Sequence, residues 1–500
     1  MIGHLPLAVY AVMLVCAYVG LVRRKQADRT DARIPGTIVI GLALGAIFLV
    51  RLSLAGWFDP GRDGDIAWQQ WLGLQIIHTG HLPSALGAEA FTAPGAPWVP
   101  QEWALSVLVA LTLGTPFFIV TVLVAATMVL ITLLVTAMAA RALEASTVAI
   151  AFAVVCVGFA MLESYGIRAQ VFGWAVLALL FFLLRTSTGP RLWLAVPLVA
   201  VWANLHASAA LAPVLLALWT IGMAIDEGGW TPNVRQCLFV TLGCVAAVFI
   251  TPLGYRLPLY ALHLVASPIR AAINEWQPSD ITATSFSLGA LPLIVATCIF
   301  GVEPSRRWRE LLLFAAMTWL TFSAVRNVPI AAIALAPAVA QRLTAYLAQS
   351  ARVNSIFSER PIRMLFYAGC GVAAILAGAI LFTSTDYTKG TLPVAAIASL
   401  GAIPGTHNLY CEDFAWCSLA LQYPNVREFL DGRADPFPPP VWKDYETVYA
   451  AKGAWRQVLR RRDVNAIVIE KQHALASALP EWRAWRLVYE DKKFRLFLRN

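Results

Sequence analysis

Apolar runs long enough to cross a lipid bilayer recur through the first three quarters of this chain, and nothing else limits its fold so strongly. A hydrocarbon layer about 30 Å thick needs roughly 20 residues of helix. Backbone in lipid must satisfy its polar groups internally, so such runs are helices or strands of a closed barrel. Here they are continuously apolar rather than alternating with period two, which selects helices. Charge content agrees: 13% of the 500 residues are charged, against about 25% in soluble domains.

The first run, Leu5 to Val22, is followed rather than preceded by the basic group Arg23-Arg24-Lys25. A cleavable signal has the opposite order, so a permanent span with an outer N-terminus is expected. A second span covers about Pro35 to Trp57. Later runs centre near Leu130, Val155, Leu179, Leu198, Leu215, Val245, Val295, Ala316, Leu335 and Ala374. The expectation is an α-helical polytopic membrane protein with about twelve transmembrane helices. Basic residues in short connections, among them Arg29, Arg141, Arg185, Arg235, Arg306 and Arg342, then fall on one side, which the positive-inside rule makes cytoplasmic. The net charge of +9 therefore reads as orientation signals rather than a nucleic-acid footprint.

The other side collects the loop of residues 58–103, Glu163 to Gln170, Asn204 to His206, Pro252 to Pro278, Arg326-Asn327 and the C-terminal tail. The expected division is a transmembrane domain of residues 1–383, including that loop, and an extracytoplasmic α/β domain of residues 384–500. Within the tail, Val464 to Glu470 and Trp485 to Tyr489 predict strands, Tyr445 to Arg462 a helix, and Pro436 to Pro440 a loop. Cys411 and Cys417 are candidates for a disulfide if the tail is extracytoplasmic, and two partly buried thiols otherwise.

The outer loop begins Phe58-Asp59-Pro60-Gly61-Arg62-Asp63-Gly64-Asp65 and ends Trp98-Val99-Pro100-Gln101-Glu102-Trp103. Asp63 and Asp65 outside a span suit a general base, or a pair that holds a divalent cation such as Mg or Mn against a phosphate. Glu102 can return to the same place. The structural alternative is a solvated Asp-Gly turn followed by an interfacial helix.

The order of these pieces resembles bacterial membrane glycosyltransferases of the GT-C superfamily, in a branch related to the dolichyl-phosphate-mannose mannosyltransferases. Arg168-Ala169-Gln170, Trp202-Ala203-Asn204-Leu205-His206, Thr251-Pro252-Leu253-Gly254, Asn274-Glu275-Trp276, Arg326-Asn327 and Asp431-Gly432-Arg433 continue the series. Gln101 departs from it, standing where His is expected, and so does Thr251, where Asn is usual. The resemblance implies transfer of a sugar from a polyprenyl-phosphate-linked donor to a glycan, lipid or protein acceptor at the outer face of a bacterial inner membrane. Asp65 is then the first choice for general base. Asp63 orients it or binds metal, and Glu102 positions the acceptor or completes the metal site. Arg168 and Arg326 clamp the phosphate, with Gln170, Asn204 and His206 as neighbouring donors. Glu275 and Trp276 hydrogen-bond and stack on the sugar. For the arginines, snorkelling at span ends is the plainer alternative, and for Trp276 an interfacial anchor.

Two other classes compete. A transporter or lipid flippase usually shows paired repeats and polar residues at mid-membrane, and the sequence has no clear repeat. A non-catalytic membrane subunit with a partner-binding tail is the third reading. A nucleotide site is disfavoured, because neither a Walker A loop nor a Gly-x-Gly-x-x-Gly after a strand is found.

Overall fold

The computed structural model describes residues 64–113, 118–162, 166–267, 269–270, 273–349 and 392–500. The expected spans Leu5 to Val22, Pro35 to Trp57 and near Ala374 lie outside these residues, as does Asp63. By packing, the chain divides into a helical unit drawn from Ile119–Ala261 and Ile273–Ser384, and a second unit drawn from Gly56–Phe118, Leu262–Ala272 and Thr385–Asn500.

Helices stand at the expected apolar centres of the helical unit, but the number that can cross a membrane is smaller than expected. Among the described residues, Ala169–Thr186, Ala207–Asp226 and Val325–Ala348 are long and apolar enough, making 3 candidates. The pair Ser285–Phe300 and Pro304–Ser323, bent by 110°, raises this to at most 4 if it is one span. The expectation of about twelve is therefore corrected. Several of the expected apolar runs form helices shorter than a full crossing. His206, at φ −162° and ψ 144°, ends Ala195–Leu205 after 11 residues. At about 1.5 Å per residue that helix covers only about half of the hydrocarbon.

One buried pair braces this bundle. Arg185, in the last turn of Ala169–Thr186, donates to both carboxylate oxygens of Glu310 (3.2 and 3.0 Å) and to the Ala334 carbonyl (3.0 Å). Its guanidinium also lies near the rings of Phe181 and Trp219. A charge taken from water needs such a set of partners. Arg185 is thus a packed structural cation and not simply a loop charge that sets orientation.

The second unit joins the loop after Gly64 to the tail. Its sheet has five strands: β1 (His407–Cys411), β2 (Val426–Glu428), β3 (Ala466–Glu470), β4 (Trp485–Glu490) and β5 (Phe494–Arg499). The order is β2-β1-β3-β5-β4, with β1 parallel to β2 and β3, and β5 antiparallel to β3 and β4. β3 and β4 stand where β-branched residues predict strands; β1, β2 and β5 are additions. The expected helix from Tyr445 is two helices, Pro439–Tyr449 and Trp455–Arg461, separated by Ala451 and Gly453 at positive φ. Pro439 and Pro440, expected in a loop, open the first of them, since proline lacks only an N–H that the first turn leaves unused. Ile397, Leu400, Leu409, Val468 and Leu496 form the core against the sheet. Cys411 and Cys417 are joined as a disulfide, with Cα atoms 5.7 Å apart.

Helices Gly64–Thr79 and Trp103–Thr112 pack closely in the same unit. A Cβ on Gly73 would lie 2.0 Å from the Ser106 carbonyl oxygen, so the crossing depends on glycine. Residues 89–92 continue the sheet edge: Glu428 donates its N–H to the Glu89 carbonyl (2.7 Å), and Ala90 bridges in parallel to Glu428.

Candidate functional site

The helical unit assembles a cationic cluster from three separate segments. Arg168 caps the start of Ala169–Thr186, and Gln170 lies in its first turn. Glu275 and Trp276 occupy a short 3-10 turn, Asn274–Trp276, and Arg326 another, Val325–Asn327. Arg168 pairs with Glu275, and each side chain stays 30% exposed. Arg326 donates to Gln170 Oε1 (3.2 Å) and lies over the Trp276 ring at 4.4 Å. Burial alone would raise the Glu275 carboxyl, but Arg168 and then Arg326 outweigh it and hold the group ionised below its usual range. Two guanidiniums therefore face one carboxylate.

His206 belongs to the same electrostatic neighbourhood. Its Nδ1 accepts from the Ser208 N–H (3.1 Å) and lies 2.7 Å from Ser208 Oγ, which in turn accepts from Trp202 Nε1 (3.0 Å). Burial, then the charge of Arg326, pushes the imidazole down to about 3. A neutral ring with Nδ1 as acceptor carries its proton on Nε2 and presents a donor there. Asn204 directs its amide N–H groups to the Ala200 and Ile250 carbonyls (2.8 and 2.7 Å), so this end of it acts on backbone.

The second unit assembles an acidic and aromatic cluster. Asp65 sits in the first turn of Gly64–Thr79, where a carboxylate complements the helix dipole. Its Oδ1 accepts from Trp68 Nε1 (3.2 Å). One turn on, buried Gln69 donates to Glu102 Oε2 (2.9 Å), while Gln101 donates to Glu102 Oε1 (3.1 Å). Asp65 and Gln69 share one helix face at i and i+4, so Glu102 is brought back beside the turn that carries Asp65. Gln101, the departure from the expected histidine, serves as a clamp on that carboxylate.

Asp431-Gly432-Arg433, which the resemblance carries along only as part of its series, forms a fixed turn that bears on this cluster. Arg433 donates to Asp431 (Nε–Oδ2 3.0 Å) and to Glu89 (3.0 Å). Its guanidinium lies over Trp71 and Trp98, 5.0 and 5.1 Å from their centroids. Glu428, fully buried, has both carboxylate oxygens without a hydrogen-bond partner among the described residues. Burial, then Asp431, raises its carboxyl well above the ordinary value despite Arg433.

A divalent cation needs several oxygen ligands. Among the described residues no group of three or more His, Cys, Asp and Glu side chains is placed to hold a metal, and Asp63 lies outside them. No step is assigned to a cation.

No protein-family model and no curated protein matches the chain. Solved structures do. The apo oligosaccharyltransferase of Archaeoglobus fulgidus is similar at 12% identity and a TM-score of 0.56, over 86% of this chain and 69% of that one. The same enzyme in complex with Zn and sulfate aligns at 11% identity and 0.55, over 92% and 73%. Tethered through a disulfide to an acceptor peptide containing the NVT sequon, it aligns at 12% and 0.52, over 92% and 74%. At this identity the likeness shows the fold alone.

Proposed function

We propose that the protein is a glycosyltransferase that moves a sugar from a polyprenyl-phosphate-linked donor to an acceptor hydroxyl or amide outside a bacterial inner membrane. The observation that carries this reading is the cationic cluster at the ends of apolar helices. Arg168 and Arg326 exceed the charge of Glu275, their surroundings remain partly open, and neutral His206 adds a donor. A phosphate diester or monoester whose tail lies in lipid fits such a place, because guanidinium forks match phosphate oxygens. Trp276, whose ring packs against Arg326, keeps the sugar-stacking role in this reading. The fold shared with an enzyme solved with an acceptor peptide supports the same class of reaction.

In this reading Asp65 takes the proton from the acceptor as its oxygen or nitrogen attacks the anomeric carbon. The bond from that carbon to the phosphate oxygen breaks, and polyprenyl phosphate leaves. Within the helical unit, the role proposed for Arg168 and Arg326 is to bind the phosphate of the lipid-linked donor. Glu102, held by Gln69 and Gln101, orients the acceptor. The Cys411–Cys417 disulfide supports placing the tail in an oxidising, extracytoplasmic compartment.

The test uses purified full-length protein in nanodiscs with a panel of polyprenyl-phosphate sugars. Asp65→Asn should bind donor as the wild type does and lose at least about 10²-fold in transfer, the size of a general-base contribution. Arg326→Met should lose donor binding itself. Wild-type transfer by Asp65→Asn, or undiminished donor binding by Arg326→Met, overturns the assignment.

A further inference from the structure

The packing of the tail around Asp65 goes further than a fixed turn. Gly432 is absent from the residues at positive φ, so its backbone conformation is open to any amino acid. What excludes a side chain is proximity. A Cβ built there would stand 2.7 Å from Asp65 Oδ1, 2.9 Å from Ser418 Oγ and 2.9 Å from Trp68 Cδ1. The Gly432 N–H donates to Ser418 Oγ (2.9 Å), and Ser418 directly follows the disulfide residue Cys417. On one side of Gly432, Asp431 is completely buried; on the other, the Arg433 guanidinium lies against the rings of Trp71 and Trp98. The glycine is therefore presented to Asp65 by a segment that has no freedom to withdraw.

We propose that Gly432, held by Ser418, is a positioning residue for Asp65: the tail supplies the wall that fixes where the carboxylate points. Asp65 Oδ1 lies between the indole N–H of Trp68 and this glycine, and the rotamer it adopts is set by that close approach. This inference rests on the reading of Asp65 as general base for its effect on turnover, but not for its effect on the carboxylate itself. A sugar transferase of this design cannot separate catalysis from the integrity of its tail, because the base is packed against residue 432.

The experiment compares wild type, Gly432→Ala and Ser418→Ala as full-length proteins in nanodiscs. The first variant adds one methyl group at the contact; the second removes the hydrogen bond without adding an atom, and serves where the first does not fold. Two readouts are taken: kcat and KM for a polyprenyl-phosphate sugar, and the rate at which a water-soluble carbodiimide with an amine labels Asp65, followed by peptide mass spectrometry. The expected result is a fall in kcat of about 10-fold or more with KM within about threefold, together with a labelling rate changed by at least threefold. Changed labelling in a protein that transfers no sugar supports the positioning role and removes the transferase reading instead. Labelling and kcat both equal to wild type in a folded variant overturn the proposal.

Discussion

In the helical unit, Arg168 and Glu275 pair while 30% of each side chain stays open; in the tail unit, Arg433 and Asp431 pair with none. Both are arginine–carboxylate contacts beside tryptophan rings, yet they are built for different ends. The open pair sits next to a second guanidinium, that of Arg326. The sealed pair is surrounded by further acids, Glu89 and Glu428, and by the faces of Trp71 and Trp98. Partial openness leaves a pair within reach of a ligand; enclosure with donors directed inward makes a scaffold. On the proposed function, ligand contact belongs to Arg168 and architecture to Arg433.

The largest effect should come from the sealed side. Arg433→Met leaves Asp431 buried without its partner, and removing one member of a buried pair typically costs about 3–5 kcal/mol. Chemical unfolding of the full chain, read through tail tryptophan fluorescence, should show this loss; one below about 1 kcal/mol would mean the network is not a scaffold.

A smaller effect, and one that depends on pH, belongs to Glu428. Its folded-state carboxyl is raised above the ordinary 4.5 by burial first and Asp431 second. A raised carboxyl favours the protonated, folded form, so that contribution is complete below pH 4.5 and is lost as pH rises through the folded value. Glu428→Gln should therefore gain on wild type in stability between pH 5 and pH 8. Melts at the two pH values that keep a constant difference would remove Glu428 as the sensitive group.

The smallest effect on folding is expected from Arg168→Gln. A pair this open contributes about 0–1 kcal/mol, so the melting temperature should barely move, while affinity for a polyprenyl-phosphate donor falls several-fold. A large stability loss here would erase the distinction between the two arginines.

Much of the helical unit was legible because apolar runs announce helices, and Arg168, Gln170, Glu275, Trp276 and Arg326 could be grouped from their places at run ends. The span count was not legible. The connection at His206 was expected, but nothing in the sequence marks that the helix before it, Ala195–Leu205, has only 11 residues. In the tail, β3 is rich in β-branched residues and was readable. His407–Cys411, buried between two parallel neighbours, shows no alternation to read. Phe494–Arg499 does alternate in part and could have been found. The meaning of Asp431-Gly432-Arg433 was hidden for a different reason. Its contacts reach Glu89, 344 residues away, and no local pattern encodes a partner at that distance.

The Arg185–Glu310 brace has a consequence for synthesis. Arg185 emerges from the ribosome 125 residues before the carboxylate that neutralises it. An uncompensated guanidinium at a helix centre is unfavourable by about 2.5–3.5 kcal/mol even on insertion scales, and Arg185, in the last turn, escapes it only by reaching toward headgroups. During that interval the end of Ala169–Thr186 has to stay near headgroups or a chaperoning surface. Native docking of the bundle is thus timed by the arrival of Arg307–Ser323, and a chain truncated before residue 310 should be recognised by membrane quality control as unfinished.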